Sequence, residues 1–316
     1  MPVLEAPQAS LSRQRAKSVR HFSTRRLASG KVSDTFCILC AGGRRLVYRG
    51  RPLVMGVLNV TPDSFSDGGA YRSPGAAVAR GVQMAEEGAD LIDVGGESTR
   101  PGAAAVPVGE ELRRVLPVVR RLARAVRVPI SIDTSKAEVA QAALGAGAAI
   151  VNDVTALQGD AQMASVVAQH RAAVILMHMR GRPRTMQVRP RYRNVVRDVA
   201  AFLLDAAERA QRAGIARARI LLDPGLGFGK TVGHNLALMG ALRHFVSLGF
   251  PVVVGPSRKS FIGRTLDAPE VDGRLAGTLA CVAQAYASGA HVVRVHDVQE
   301  TVHVIRMLDA IAHEQR

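Results

Sequence analysis

Tryptophan is absent from this 316-residue chain, and aromatic residues of all kinds make up only 4%. That scarcity disfavours an all-β sandwich, while abundant Ala, Val and Leu suit helices packed against a sheet. Only three cysteines occur, Cys37, Cys40 and Cys281. They are too few for a disulfide framework and point to a reducing compartment, here the cytoplasm. Cys37-Ile-Leu-Cys40 has C-x-x-C spacing, yet no second pair or histidine cluster completes a zinc site. It falls in a predicted hairpin rather than at the start of a helix, so it reads as ordinary apolar hairpin sequence. No window holds 18 uninterrupted apolar residues, which excludes a spanning helix, and the chain start carries no hydrophobic signal segment.

What is present is the composition of a globular enzyme, 47% apolar and 22% charged. The formal charge of +16 is unevenly spread. Residues 1–33 hold seven Lys/Arg against one acid, Glu5, which leaves +10 on the rest. Neither part shows the dense basic stripe with interleaved aromatics of a nucleic-acid reader. A diffuse positive field instead favours anionic small molecules, so nucleic-acid and membrane partners are not expected. Residues 1–33 are Arg/Ser/Ala-rich without apolar periodicity and are expected to be a dispensable, disordered extension, with a composition also like that of a transit peptide. The catalytic domain is then 34–316.

Residues 35–49 alternate around Gly42-Gly43 and predict a β-hairpin. From residue 53 onward strand and helix signals alternate without interruption. Strands are expected at 53–58, 90–94, 129–132, 149–151, 173–177, 219–222, 252–254 and 291–295. Amphipathic segments such as 76–87, 195–213 and 235–247 lie between them, and a last helix covers 299–312. Eight such units fit a (β/α)8 TIM barrel of ~250 residues, preceded by the hairpin. A doubly wound sheet is the alternative.

Polar residues stand at or just beyond every strand's carboxyl end: Asn59, Asp93 with Glu97, Asp133, Asn152, His178, Asp223, Ser257 with Lys259, and Arg294 with His296. A barrel gathers these positions on one rim, where active sites of that fold lie. Singly, Asp93 or His178 reads equally well as a strand-end cap. Asp133, Asn152, Asp223 and Lys259 offer donors and acceptors for a flat heterocycle with amide and amino groups. Arg294, His296 and Asn59 offer donors and a metal-binding oxygen suited to phosphate. The rim is therefore expected to take a heterocycle joined to a phosphate.

The run Asp223-Pro-Gly-Leu-Gly-Phe-Gly-Lys-Thr231 ends like a phosphate-binding P-loop. That motif needs glycine at position 224, where this chain has Pro224. The spacing excludes a Walker loop, and the three glycines read as room for backbone close to a ligand.

Eight ordered pieces then converge on one family. They are Met55 to Gly69, Asp93 to Ala103, Ser131 to Lys136, Val151-Asn-Asp153, Leu176-Met-His-Met179, Asp223 to Lys230, Ser257-Arg-Lys-Ser260 and Arg294-Val-His-Asp297. With them, the chain resembles the bacterial dihydropteroate synthases over residues 35–316. The resemblance implies a transferase of folate biosynthesis that joins 6-hydroxymethyl-7,8-dihydropterin pyrophosphate to p-aminobenzoate and releases pyrophosphate. It implies pterin contacts at Asp133, Asn152, Asp223 and Lys259, with Met177 against the ring. Pyrophosphate is expected at Asn59, through Mg2+, and at Arg294 and His296. Aminobenzoate is expected at Thr99, Arg100, Pro101, Phe228, Ser257 and the Lys259 stem. Asp133, Asp67, Lys259 and Arg100 are the expected catalytic groups, and C–O cleavage is expected to precede amine attack on a stabilised carbocation. The loops at Asp63–Gly69 and Thr99–Pro101 are expected to be mobile and to close over the site. Family members are commonly homodimers, so a dimer is expected.

Two rival readings share the barrel. A pterin-dependent methyltransferase would keep the Asp/Asn contacts without paired loops or a pyrophosphate site. A non-catalytic pterin-binding paralogue should lack loop residues such as Asp67, Thr99 or Arg100, all of which are present. Leu226, Pro256 and Thr155 depart from the family pattern beside the binding motifs, which bears on aminobenzoate affinity and sulfonamide sensitivity.

Overall fold

Short apolar segments rich in Val, Ile and Leu make strands here, and the Ala-rich amphipathic segments between them make helices. The computed structural model describes residues 36–61, 73–98, 102–181 and 185–314. Strands β1 (Phe36–Leu39) and β2 (Arg45–Tyr48) form the predicted antiparallel hairpin, with Phe36 opposite Tyr48 and Leu39 opposite Arg45. The turn between them places Gly42 and Gly43 at φ of 65° and 73°, a conformation glycine adopts without strain.

Eight parallel strands follow: β3 (Leu53–Asn59), β4 (Leu91–Gly95), β5 (Ile130–Asp133), β6 (Ile150–Asp153), β7 (Ala173–Met177), β8 (Ile220–Asp223), β9 (Val253–Val254) and β10 (Val292–Val295). Their order is β8-β7-β6-β5-β4-β3-β10-β9, and a bridge between Leu222 and Val252 joins β8 to β9. The sheet therefore closes into a barrel, as expected. Observed strand limits lie within two residues of those read from sequence.

Helices cover the outside. They are α1 (Pro74–Glu86), α2 (Val108–Ala125), α3 (Ala137–Gly145), α4 (Met163–Gln169), α5 (Val195–Arg212), α6 (Val232–Gly240), α7 (Leu242–Val246), α8 (Ser260–Thr265), α9 (Leu275–Ala287) and α10 (Val298–Glu314). The segment expected as one helix over 235–247 is two. Ala241 (φ −98°, ψ 13°) leaves helical geometry, and its N–H is shared between Ala237 O and Leu238 O, a tightened helix end. Among the described residues no helix is long and apolar enough to cross a membrane.

The core has two layers, and strand periodicity separates them. Val54, Ile92, Val174 and Val293 face the helices. Their neighbours Leu53, Leu91, Ile175 and Val292 fill the barrel interior with Met55, Ile150, Leu221 and Val253. Ile38 and Cys40 from the hairpin join this inner cluster, at 0% and 1% exposure, and so plug the barrel's amino-terminal end. Ala41 N donates to Ala149 O at 3.0 Å, and Arg219 Nη1 donates to the Leu39 and Cys40 carbonyls. Cys37 and Cys40 are free thiols, and burial pushes the Cys40 thiol up to about 12.

Candidate active site

Side chains two apart on a strand share a face. Moving two residues along from the apolar barrel filling therefore reaches the rim while still pointing inward. Leu91 leads to Asp93, Ile150 to Asn152, Ile175 to Met177, Leu221 to Asp223 and Val292 to Arg294. Strand register aligns the next row: Asn59 lies beside Gly95, Gly95 beside Asp133, and Asp133 beside Asn152. Gly95 adds no side chain, so Asn59 and Asp133 both face the space above it.

Arg294 sits at the centre. Its Nε donates to Asp93 Oδ2 at 2.7 Å and its Nη2 to Asp133 Oδ2 at 2.8 Å. Asn152 Nδ2 donates to the same Asp93 oxygen at 2.9 Å. Asp93 is fully buried, so the bland reading of it as a turn cap gives way to a role in the network. One guanidinium thus faces two carboxylates. Burial raises the Asp133 pKa to about 7, with Arg294 opposing and Asp93 adding to the rise. Burial also works against the charge on Arg294, but Asp93 and Asp133 more than offset it and raise its pKa. Asp93 Oδ1 and Asp133 Oδ1 are buried without a hydrogen-bond partner. Such acceptors are costly to leave unmade and are ready for a ligand donor.

A second cluster lies across the rim. Lys259 Nζ donates to Leu226 O and stands 4.8 Å above the Phe228 ring centre. Burial lowers the Lys259 pKa to about 8, opposed by Asp223. Asp223 accepts from Gly225 N at 2.7 Å, and burial raises its pKa. Leu226, one departure from the family pattern, is fully buried and contributes its carbonyl rather than a ring. Met177 closes this side at the end of β7. Pro256 is buried and accepts from Lys259 N at 3.3 Å, while Thr155 bonds to the Asp153 carboxylate.

Ser257 Oγ accepts from His296 N at 3.2 Å and lies 3.0 Å from His296 Nδ1, which joins the β9 and β10 loops. Between Ser257 and Lys259, Arg258 holds a left-handed φ of 59°. Its N–H donates to Thr278 Oγ1, its carbonyl accepts from Arg274 Nη1, and its guanidinium pairs with Asp297. Asn59 is half-buried at the end of β3. Among the described residues no group of three His, Cys, Asp or Glu is arranged to hold a metal.

Of the expected site residues, Asp133, Asn152, Met177, Asp223, Phe228, Ser257, Lys259, Arg294, His296 and Asn59 come together on this rim. Asp67, Thr99, Arg100 and Pro101 lie outside the described residues. His178 does not join the rim chemistry; it is buried behind it against Lys230, 2.9 Å from Nδ1 to Nζ. Two polar groupings escaped the sequence reading. One is Lys230 itself. The other is Lys136, whose ammonium bonds both Glu97 and the fully buried Glu111. Glu97 also accepts from Val106 N at 3.1 Å, which ties together the two ends of the loop that carries Thr99 and Arg100. The sequence signals were slight: the broken phosphate motif that ends in Lys230, and Glu97 just past a strand end.

Comparison with known proteins agrees with this geometry. A family model described as pterin binding enzyme matches residues 55–296. Dihydropteroate synthase of Synechocystis sp. is 46% identical over 282 residues, covering 89% of this chain and 98% of that protein. A solved structure of Xanthomonas albilineans dihydropteroate synthase with 4-aminobenzoic acid is 46% identical with a TM-score of 0.82, covering 88% of this chain and 98% of that one. The Yersinia pestis dihydropteroate synthase, solved with a sulfonamide drug, is 44% identical with a TM-score of 0.83, covering 87% and 99%. The chain belongs to the pterin-binding enzyme family and, within it, to the dihydropteroate synthases.

Proposed function

We propose that this transferase binds the pterin of 6-hydroxymethyl-7,8-dihydropterin pyrophosphate between its two rim clusters and hands the pterin methylene to p-aminobenzoate. The observation that carries this reading is the pair of clusters itself. Asp133, Asn152 and Asp223 offer buried acceptors and an amide, Lys259 a buried cation, and Met177 an apolar face. These match the donors, acceptors and flat surface of a pterin. The unpartnered Oδ1 of Asp133 suits a ring N–H and stands where negative charge would steady a developing cation. His296 and Arg294 border the same space. Two donors of Arg294 are committed to carboxylates, and its Nη1 makes no hydrogen bond to the described residues, which leaves it for a phosphate oxygen.

A magnesium ion fits the donor set in one way. Asn59 supplies a single hard oxygen without a carboxylate cluster, which suits Mg2+ that arrives with a diphosphate and keeps waters. Bound there, the ion would neutralise charge on the leaving group. Phe228, Ser257 and the Lys259 stem form the aminobenzoate side; the family resemblance assigns Thr99, Arg100 and Pro101 to the same pocket and a catalytic role to Asp67. Cytoplasmic placement fits the free thiols, and a homodimer fits the family resemblance.

The test is pyrophosphate release from the pterin substrate. It is expected only when p-aminobenzoate and Mg2+ are both present. Release at equal rate without the amine would sink the transferase mechanism.

A further inference from the structure

The glycine-rich run after β8 ends in a lysine that does no phosphate work. Lys230 is 3% exposed, and its ammonium lies 2.8 Å from Gly225 O, 2.9 Å from Phe228 O, 2.9 Å from His178 Nδ1 and 3.3 Å from His178 O. No carboxylate pairs with it among the described residues. A buried cation without a counter-ion is expensive, so its retention calls for a role. Burial pushes its pKa down to about 7, and the same burial, with Lys230 beside it, lowers His178 to about 3. His178 is thus neutral, with its Nδ1 turned to the Lys230 Nζ.

The backbone explains what the cation does. Gly225 (φ 67°) approaches His178 so closely that a Cβ there would fall 2.0 Å from His178 O. Gly229 (φ 64°) meets Arg180 O in the same way, at 2.4 Å. The β8 loop therefore lies backbone-to-backbone on the exit of β7, with several carbonyl dipoles converging. One ammonium shares its three N–H groups among the Gly225, Phe228 and His178 carbonyls and the His178 ring nitrogen. From α6, Asn235 Oδ1 accepts from Gly227 N at 2.6 Å, and from the loop before α5 Tyr192 Oη donates to Gly229 O at 2.8 Å.

The clamped segment carries the parts that hold Lys259. Leu226 O accepts from its ammonium, Gly227 packs on its stem, and the Phe228 ring lies beneath it. Phe228 therefore links two lysines, its carbonyl bound to Lys230 and its ring facing Lys259. We propose that Lys230 is a positioning residue that fixes the Leu226–Phe228 segment, and through it the Lys259 ammonium and the aminobenzoate face of the pocket. The proposal rests on the assignment of Phe228 and Lys259 to that pocket.

Steady-state kinetics on the full chain test it. Lys230→Met is expected to raise the aminobenzoate KM at least about tenfold, since a misplaced catalytic contact of about 1 Å can cost far more. The pterin substrate shares Lys259, so its KM should rise too, but by less than that of aminobenzoate, because Asp133 and Asn152 on other strands still hold the ring. Leu203→Ala, a buried truncation on α5, is the control for lost stability alone and should leave the ratio of the two KM values unchanged. Lys230→Arg keeps the charge with a different reach and should show the same split in smaller measure, with near-native melting. Should Lys230→Met fail to fold, that arginine variant decides. Equal movement of both KM values, or a split matched by Leu203→Ala, overturns the positioning role. Wild-type protein without amine-dependent pyrophosphate release would instead overturn the pocket assignment itself.

Discussion

Arg258 and Asp297 meet in a two-point ion pair, Nη2 to Oδ1 at 2.6 Å and Nε to Oδ2 at 3.2 Å, that ties the loop after β9 to the loop after β10. Each residue adjoins site residues, Arg258 between Ser257 and Lys259 and Asp297 directly after His296. The left-handed backbone at Arg258 costs about 1–3 kcal/mol and persists because Thr278, Arg274 and Asp297 hold it. Asp297→Ala removes the outer support. A loss of about 10–100-fold in kcat/KM is expected, as Ser257 and Lys259 lose their relative position. Kinetics indistinguishable from wild type would show that the backbone contacts suffice.

Asp133→Asn keeps size and one acceptor while removing charge. Turnover should fall about 10²–10³-fold, the usual cost of losing one preorganised electrostatic partner. Arg294 retains Asp93, so the melting temperature should change little. Parallel loss of turnover and stability would make Asp133 a structural residue.

Activity should follow a narrow bell in pH. Asp133 must be ionised, which favours pH above about 7, and Lys259 charged, which favours pH below about 8. The stability effect has the opposite sign. Raising Asp133 from 3.8 means folding favours its protonated form, so its contribution falls as pH rises from about 4 to about 7. Lowering Lys259 from 10.5 means stability returns as pH rises from about 8 towards 10.5. These two groups are both charged where activity peaks, and there they stabilise the fold least. Paired melting and rate profiles of wild type and Asp133→Asn check this. An acid limb that survives in the variant assigns it to another group.

Much of this was legible in the chain. Period-two strands put Asp93, Asn152, Asp223 and Arg294 on the same inward face as the barrel filling, and all eight strand ends were readable as polar. What could not be read is pairing across distance. Arg294 meets Asp93 and Asp133 from positions 201 and 161 residues away, and nothing local marks Asp93 as more than a cap. Lys230 was visible as a broken phosphate motif, but its burial depends on His178 from a neighbouring strand. The break at Ala241 had only the adjacent Gly240 as a cue.

The hairpin plug gives a prediction about stability alone. Ile38→Ala opens space at the sealed end of the barrel, remote from the rim. It should cost about 2–5 kcal/mol in denaturant unfolding, with both KM values unchanged. Cys40 is sealed in the same place, so a maleimide should reach it only on unfolding.

Removal of residues 1–33 should leave turnover intact, since every group assigned a role lies beyond them. Rate measurements on the shortened chain decide it, and a large loss would give the basic extension a part in the reaction.

The barrel's closure is uneven. Strand β9 has two residues, and a single bridge from Val252 to Leu222 joins it to β8. That thin seam runs between the strand ending in Asp223 and the strand leading to Lys259. In deuterated solvent the amides along β8 and β9 should therefore trade their protons sooner than those of β3 and β4, which share five aligned residue pairs. The fold would then loosen first between the two halves of its own lysine cluster, and a bound pterin bridging Asp223 and Lys259 would act as the stitch that slows it.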